Sequence, residues 1–269
     1  MTSFTKRRIS FLTGLLLYTC LAGAQAPSGL VGFSFDTPTA RVFDLSGSLA
    51  IEQQMIGAGG QETPLSFPVD VTQDSNGKLS GSGVTVVNVG NDFVSGNYTI
   101  KGKVSGGGNS VNRASFKVKL TGQDTIAGVP NTKFSISLDY KLEADSEEGA
   151  LFGTAQGSAS FSGLSSANIH SDIAIGLAPG MDGTWSVEMN ILALKKLGGS
   201  AVITLSNQRA LQTRLSGSYS THTAVAKIKL KGFDASKGTS ANLDFISSEE
   251  GIELQKLRGK ILGQSVRDL

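Results

Sequence analysis

Ala114 to Asp124 reads ASFKVKLTGQD, and Ala224 to Asp234 reads AVAKIKLKGFD, the same pattern returning 224 − 114 = 110 positions later. In both, small or apolar residues (Phe116, Val118, Leu120; Ala226, Ile228, Leu230) alternate with lysines (Lys117, Lys119; Lys227, Lys229, Lys231). A period of two puts apolar groups on one strand face and ammonium groups on the other. Each stretch is therefore read as a half-buried β-strand, ended by glycine and aspartate at Gly122/Asp124 and Gly232/Asp234, which is turn chemistry. The repeat speaks to architecture before it speaks to chemistry.

Lys6, Arg7 and Arg8 precede an apolar run, Ile9 to Leu21, and the small residues Ala22-Gly23-Ala24 follow it. This tripartite order predicts a secretory signal peptide over residues 1–24, cut before Gln25. The run is shorter than the roughly 20 apolar residues a spanning helix needs. Its removal takes three basic residues and no acid from a chain with 24 Lys+Arg and 22 Asp+Glu, leaving 21 − 22 = −1. The apparent basicity belongs to the export signal, and overall charge predicts no nucleic-acid partner. The sole cysteine, Cys20, lies inside the run, so the exported chain has neither disulfide nor thiolate. An alternative processing at Cys20 would leave a lipidated N-terminus, although Tyr18 and Thr19 depart from the small residues such a site prefers. Membrane attachment is thus expected only through Cys20 or as a β-barrel.

Strand-length pieces separated by glycine follow from Val42: FDLSGSLAIEQQ, LSFPVDVTQ, KLSGSGVTVVNV, GNYTIKGKVSG, RASFKVKLTG and TKFSISLDYKLEAD. A strand about every ten residues suits sandwiches, barrels and meanders. Alternation is cleanest from Thr132 to Asp145, where Phe134, Ile136, Leu138, Tyr140 and Leu142 share a face opposite Ser135, Ser137, Asp139 and Lys141. One dry and one wet face is the signature of an antiparallel sheet. Residues 25–41 form a leader with weak alternation at Val31, Phe33 and Phe35.

A second pass matches the first. Phe67, Val69, Val71, Leu79 and Gly81 correspond to Trp185, Val187, Met189, Leu197 and Gly199 at an offset of 118, KVSGGG matches RLSGSY, and Ser146-Glu147-Glu148-Gly149 reappears as Ser248-Glu249-Glu250-Gly251. Gly153/Gly157 is matched with Gly259/Gly263. The reading is two copies of one β-unit, residues 42–157 and 158–269, with length differences collecting in the connections. The expected class is all-β: antiparallel meander sheets forming barrel- or sandwich-like units, internally duplicated, behind an N-terminal signal helix.

Candidates for chemistry are few. His170 and His222 occupy non-equivalent places and no zinc-ligand spacing appears. Glu147, Glu148, Glu249 and Glu250 recur, and paired carboxylates could serve acid–base work or hold calcium. Neighbouring residues on a strand point oppositely, so the plainer reading is a charged hairpin end, and these four remain weak ligand-site candidates. Asp70 to Gly77 has a calcium-loop flavour but lacks the distant bidentate acid, and Asn76-Gly77 is a hairpin turn signal. Trp185, the single tryptophan, alternates with Val187 and Met189 and reads as core. The stripes of Lys101, Lys103, Lys117, Lys119, Lys227 and Lys229 face either anionic polymers or, more commonly, water.

These residues predict an exported, non-catalytic β-protein of a bacterial envelope or surface, periplasmic or extracellular, that binds or builds. No cofactor or metal is expected, and the candidate partners are an envelope polymer or an apolar small ligand. An outer-membrane β-barrel and a glycan-active enzyme using the recurrent acids are the alternatives.

Overall fold

A computed structural model describes residues 30–37, 42–107, 110–144, 150–176, 183–193, 195–248 and 251–267. The signal helix and its cut site lie outside them. Among the described residues the chain is nearly all β, with sixteen strands and a single three-residue turn of 3-10 helix at Asp234–Ser236. It forms two compact units: Phe43–Pro179, and the residues up to Val42 together with Gly180–Leu269.

The first unit is a ring of eight antiparallel strands in sequence order: β2 (Gly47–Gly57), β3 (Glu62–Gln73), β4 (Lys78–Val89), β5 (Asp92–Gly107), β6 (Ser110–Ile126), β7 (Val129–Ala144), β8 (Ala150–Phe161) and β9 (Ala167–Gly176). The ring closes where β9 returns to β2, with Met55 opposite Ile169. Closure removes the sheet edges that would otherwise invite pairing with other chains. Eight strands leave a lumen just wide enough for side chains to fill. Here Leu65, Phe67, Ile100, Leu120, Ile136 and Leu138 point inward and are buried. Alternate residues, such as Lys101, Lys119, Ser135 and Lys141, face out. Phe43 and Leu45 join the same core, and Gln73 ties them down: its Oε1 accepts from the Leu45 N–H (2.8 Å) and its Nε2 donates to the Phe43 carbonyl (3.0 Å).

Glycines stand at inward positions that a neighbouring backbone or ring approaches closely. A Cβ on Gly153 or Gly157 would overlap the carbonyl oxygen of Lys141 or Ser137, and one on Gly122 would strike the Phe134 ring. Glycine kinks of this kind let a sheet coil tightly enough to close.

The second unit orders eight strands as β1 (Leu30–Thr37), β10 (Gly183–Ala193), β11 (Lys196–Thr204), β12 (Ala210–Ser220), β13 (Val225–Gly232), β14 (Ser240–Ser248), β15 (Gly251–Ile261) and β16 (Gln264–Arg267). The leader is therefore a strand, paired with β10 from Leu30 opposite Asn190 to Thr37 opposite Gly183. Its Phe35 stacks on the buried Trp185 with ring centroids 5.6 Å apart and meets Phe245 edge-on at 5.5 Å. Gly157 and Ser158, which flank the boundary read from the repeat, are consecutive residues of β8, within the first unit.

The ladders of the two units can be laid side by side. Leu79, Gly102, Phe116, Tyr140 and Ala155 form one cross-strand row in the first unit. Leu197, Gly217, Ile228, Leu243 and Leu257 form the corresponding row in the second. The separations along the row are 118, 115, 112, 103 and 102, falling as connections shorten. By this row Phe116 corresponds to Ile228 and not to Ala226, so the offset of 110 read from the repeated lysine strands becomes 112. The offset of KVSGGG likewise becomes 115, and Gly157 corresponds to Gly259. A slip of two residues (110 to 112) or four (111 to 115, 106 to 102) leaves every side chain on its own face, and alternation alone is therefore blind to it.

Candidate functional site

The expected acids Glu147, Glu148, Glu249 and Glu250 lie outside the described residues. The other sequence candidates are dispersed. His170 is an exposed residue of β9 opposite Gln156, and His222 sits in the exposed turn between β12 and β13. No three potential metal ligands converge among the described residues. The Asp74 carboxylate is engaged in its own turn, accepting from the N–H groups of Asn76 (2.8 Å) and Lys78 (2.9 Å), while Gly77 takes φ +81. Trp185 is fully buried and belongs to the core.

Three arrangements of the first unit were not foreseen. One is a polar pair in the apolar lumen. Gln53 on β2 donates through Nε2 to the Tyr140 hydroxyl on β7 (3.4 Å), and the Tyr140 ring stacks on Phe116 at 4.5 Å. Gln53 Oε1 is buried and accepts no hydrogen bond from the described residues. Burial holds the Tyr140 hydroxyl well above the ordinary phenol value of 10.0, and the Gln53 amide offsets part of that. The folded state thus keeps the neutral phenol while the unfolded chain ionises near 10. Stability is full below that pH and falls as pH rises through it. Replacing both residues, Gln53→Leu with Tyr140→Phe, is expected to leave stability at neutral pH unchanged or higher by about 1 kcal/mol, because an unmatched oxygen goes with its neighbour. Denaturant titrations from pH 8 to about 11 check this: the variant should lose less stability than the parent.

A second arrangement is a bulge in the wall. The β3–β4 ladder runs from Gln73/Leu79 to Thr72/Ser80, lapses, and resumes at Ser66/Asn88 with two extra residues in β4. Side chains bridge the lapse. The Thr85 hydroxyl donates to the Pro68 carbonyl (2.7 Å), and the Tyr98 hydroxyl accepts from the Asp70 N–H (3.0 Å). Outside this corner stand Val84 (71% exposed), Val86 (60%) and, diagonally across the ladder, Phe93 (74%). The run VTVV, apolar on both faces, was the sequence signal for this patch.

The third is an open groove of about 760 Å³ along the ends of β6, β7 and β8, lined by Arg113, Ser115, Lys141, Glu143, Phe152 and Thr154. Arg113 and Glu143 pair across it at 2.8 Å, both more than half exposed. Such a pair is worth less than about 1 kcal/mol, so its charges can turn to a ligand at small cost.

These arrangements can hold and orient, but none places a nucleophile beside a base. The chain was also compared with protein families, curated proteins and solved structures, and no family model, curated protein or solved structure matches it.

Proposed function

We infer that this chain is an exported, non-catalytic β-protein of a bacterial envelope or surface, built from two copies of one eight-stranded meander, that binds or scaffolds through its outer faces. The observation that carries this reading is the polarity of the first unit's wall. Phe, Leu, Ile and Val fill its lumen, while Lys, Ser, Asp and Glu alternate outward. A membrane barrel needs the reverse, an apolar band outside and polar groups within. A side-chain-filled lumen also leaves the exterior as the place where partners meet the first unit. The shared strand order and the matching cross-strand rows support the duplication.

The test is export of the full-length chain followed by mass spectrometry and sizing in buffer without detergent. The expected product starts at Gln25 and elutes as a single soluble species. A product extracted from membranes only by detergent would overturn the reading.

A further inference from the structure

We propose that the outward face of β13–β16 binds a linear acidic polysaccharide. The proposal deepens the reading of an exported binding module and rests on it. The near-neutral total hides an asymmetry. Phe43–Pro179 carries 8 Lys/Arg against 13 Asp/Glu, whereas residues 180–269 carry 12 against 8. The strand register then gathers the excess. Lys229, Asn242, Arg258 and Arg267 stand in one cross-strand row, all exposed. The next row along the strands is Lys231, Ser240, Lys260 and Ser265. Strands about 4.8 Å apart make each row about 14 Å long, with the rows about 7 Å from one another.

The first unit is an internal control. Its corresponding row is Lys117, Asp139, Gln156 and His170, in which Lys117 and Asp139 are ion-paired at 3.0 Å. The same position in the fold is thus satisfied by a neutral set. In the second unit Asp139 has become Asn242, Gln156 has become Arg258 and His170 has become Arg267, which removes the acid and adds two guanidinium groups. Arg258 and Arg267 stand directly opposite one another, an arrangement that destabilises a sheet in isolation. No side-chain hydrogen bond or ion pair is made by Lys229, Lys231, Arg258, Lys260 or Arg267 among the described residues. A repulsion that the fold does not require is relieved by an anion from outside.

The chemistry between the cations selects the class of anion. Asn242, Ser240 and Ser265 place amide and hydroxyl groups between the charges, suited to sugar hydroxyls. Arginine forks take carboxylate or phosphate oxygens in pairs. The large apolar side chains that are exposed among the described residues all belong to the first unit. Among its described residues the basic face therefore offers no wedge for a bilayer and no ring on which bases would stack.

The experiment uses the exported chain with polygalacturonate as probe and neutral dextran as control. Duplex DNA and phosphatidylglycerol–phosphatidylcholine vesicles stand for the other polyanions. Lys256→Thr, Arg258→Gln and Lys260→Ser together install the first unit's residues on β15. Lys101→Gln, Lys103→Gln and Lys133→Gln remove the same charge from the first unit. Polygalacturonate should bind, more weakly as salt rises. The β15 triple should lower affinity by about tenfold or more, and the first-unit triple by less than about twofold. Trp185 emission verifies that the β15 triple is folded, and the cooperative transition followed by circular dichroism does so for the first-unit triple. Equal losses in the two triples, absence of binding by the parent, or tighter binding of DNA or vesicles would each overturn the proposal. A soluble, exported chain that ignores polygalacturonate sinks this inference alone, whereas a chain confined to detergent extracts sinks the reading beneath it.

Discussion

Gly157→Ala is expected to cost the first unit about 3 kcal/mol, the upper end of the usual range for an overpacked core. Gly157 faces inward opposite Leu138, and a methyl group there would overlap the carbonyl oxygen of Ser137. The obstacle is backbone in a hydrogen-bonded ladder, so no side-chain rotation can yield, and the wall itself must shift. A loss of that size is a large fraction of the 5–15 kcal/mol that holds a typical domain. Gly59→Ala is the control, since a Cβ there meets nothing within 4 Å and its backbone is not left-handed. Denaturant midpoints followed by circular dichroism measure both. A Gly157→Ala midpoint indistinguishable from the Gly59→Ala midpoint would show the wall to be far more yielding than its geometry implies. A glycine of the second unit adds a corollary. Gly259 meets the Ser240 carbonyl as Gly157 meets that of Ser137, so Gly259→Ala should produce a loss of similar size in the second unit.

Removing residues 25–41 should disrupt the second unit. β1 supplies eight ladder positions to β10, and its Phe35 covers Trp185 and Phe245 while Phe33 meets Phe245 at 5.3 Å. The truncated chain would expose the largest side chain of that core. Trp185 is the only tryptophan in the sequence, so its emission reports on this unit without interference. The expected result is a red shift and loss of the cooperative transition seen by tryptophan fluorescence. Phe35→Ala, a milder cut, should cost about 3–5 kcal/mol, as buried Phe truncations do. Unchanged emission in the truncated chain would mean that β1 only decorates the sheet.

Much of the local structure was legible because a period of two is a local property. Phe134 through Leu142 and Val225 through Leu230 announce both their strand character and their buried face, and Asn76-Gly77 announces its turn. Trp185 was readable as core. Less was legible of the sites. Gln53 and Tyr140 are 87 residues apart, and nothing in either neighbourhood hints at the other. The leader looked marginal because Val31, Phe33 and Phe35 alternate only briefly, yet the strand they make is completed by β10, about 150 residues away.

By itself, then, the sequence determined which residues form strands, which of their faces is dry, where the chain turns, and that one pattern recurs. Tertiary structure alone decided that β9 closes on β2, that β1 joins the second unit, that the repeated lysine strands correspond at 112 and not 110, and that Arg258 and Arg267 fall into one row with Lys229. The physical reason is that alternation survives any slip of two residues and says nothing of which strand lies alongside. Partner and register are settled by packing in the core and closure of the wall, and with them where outward charges meet.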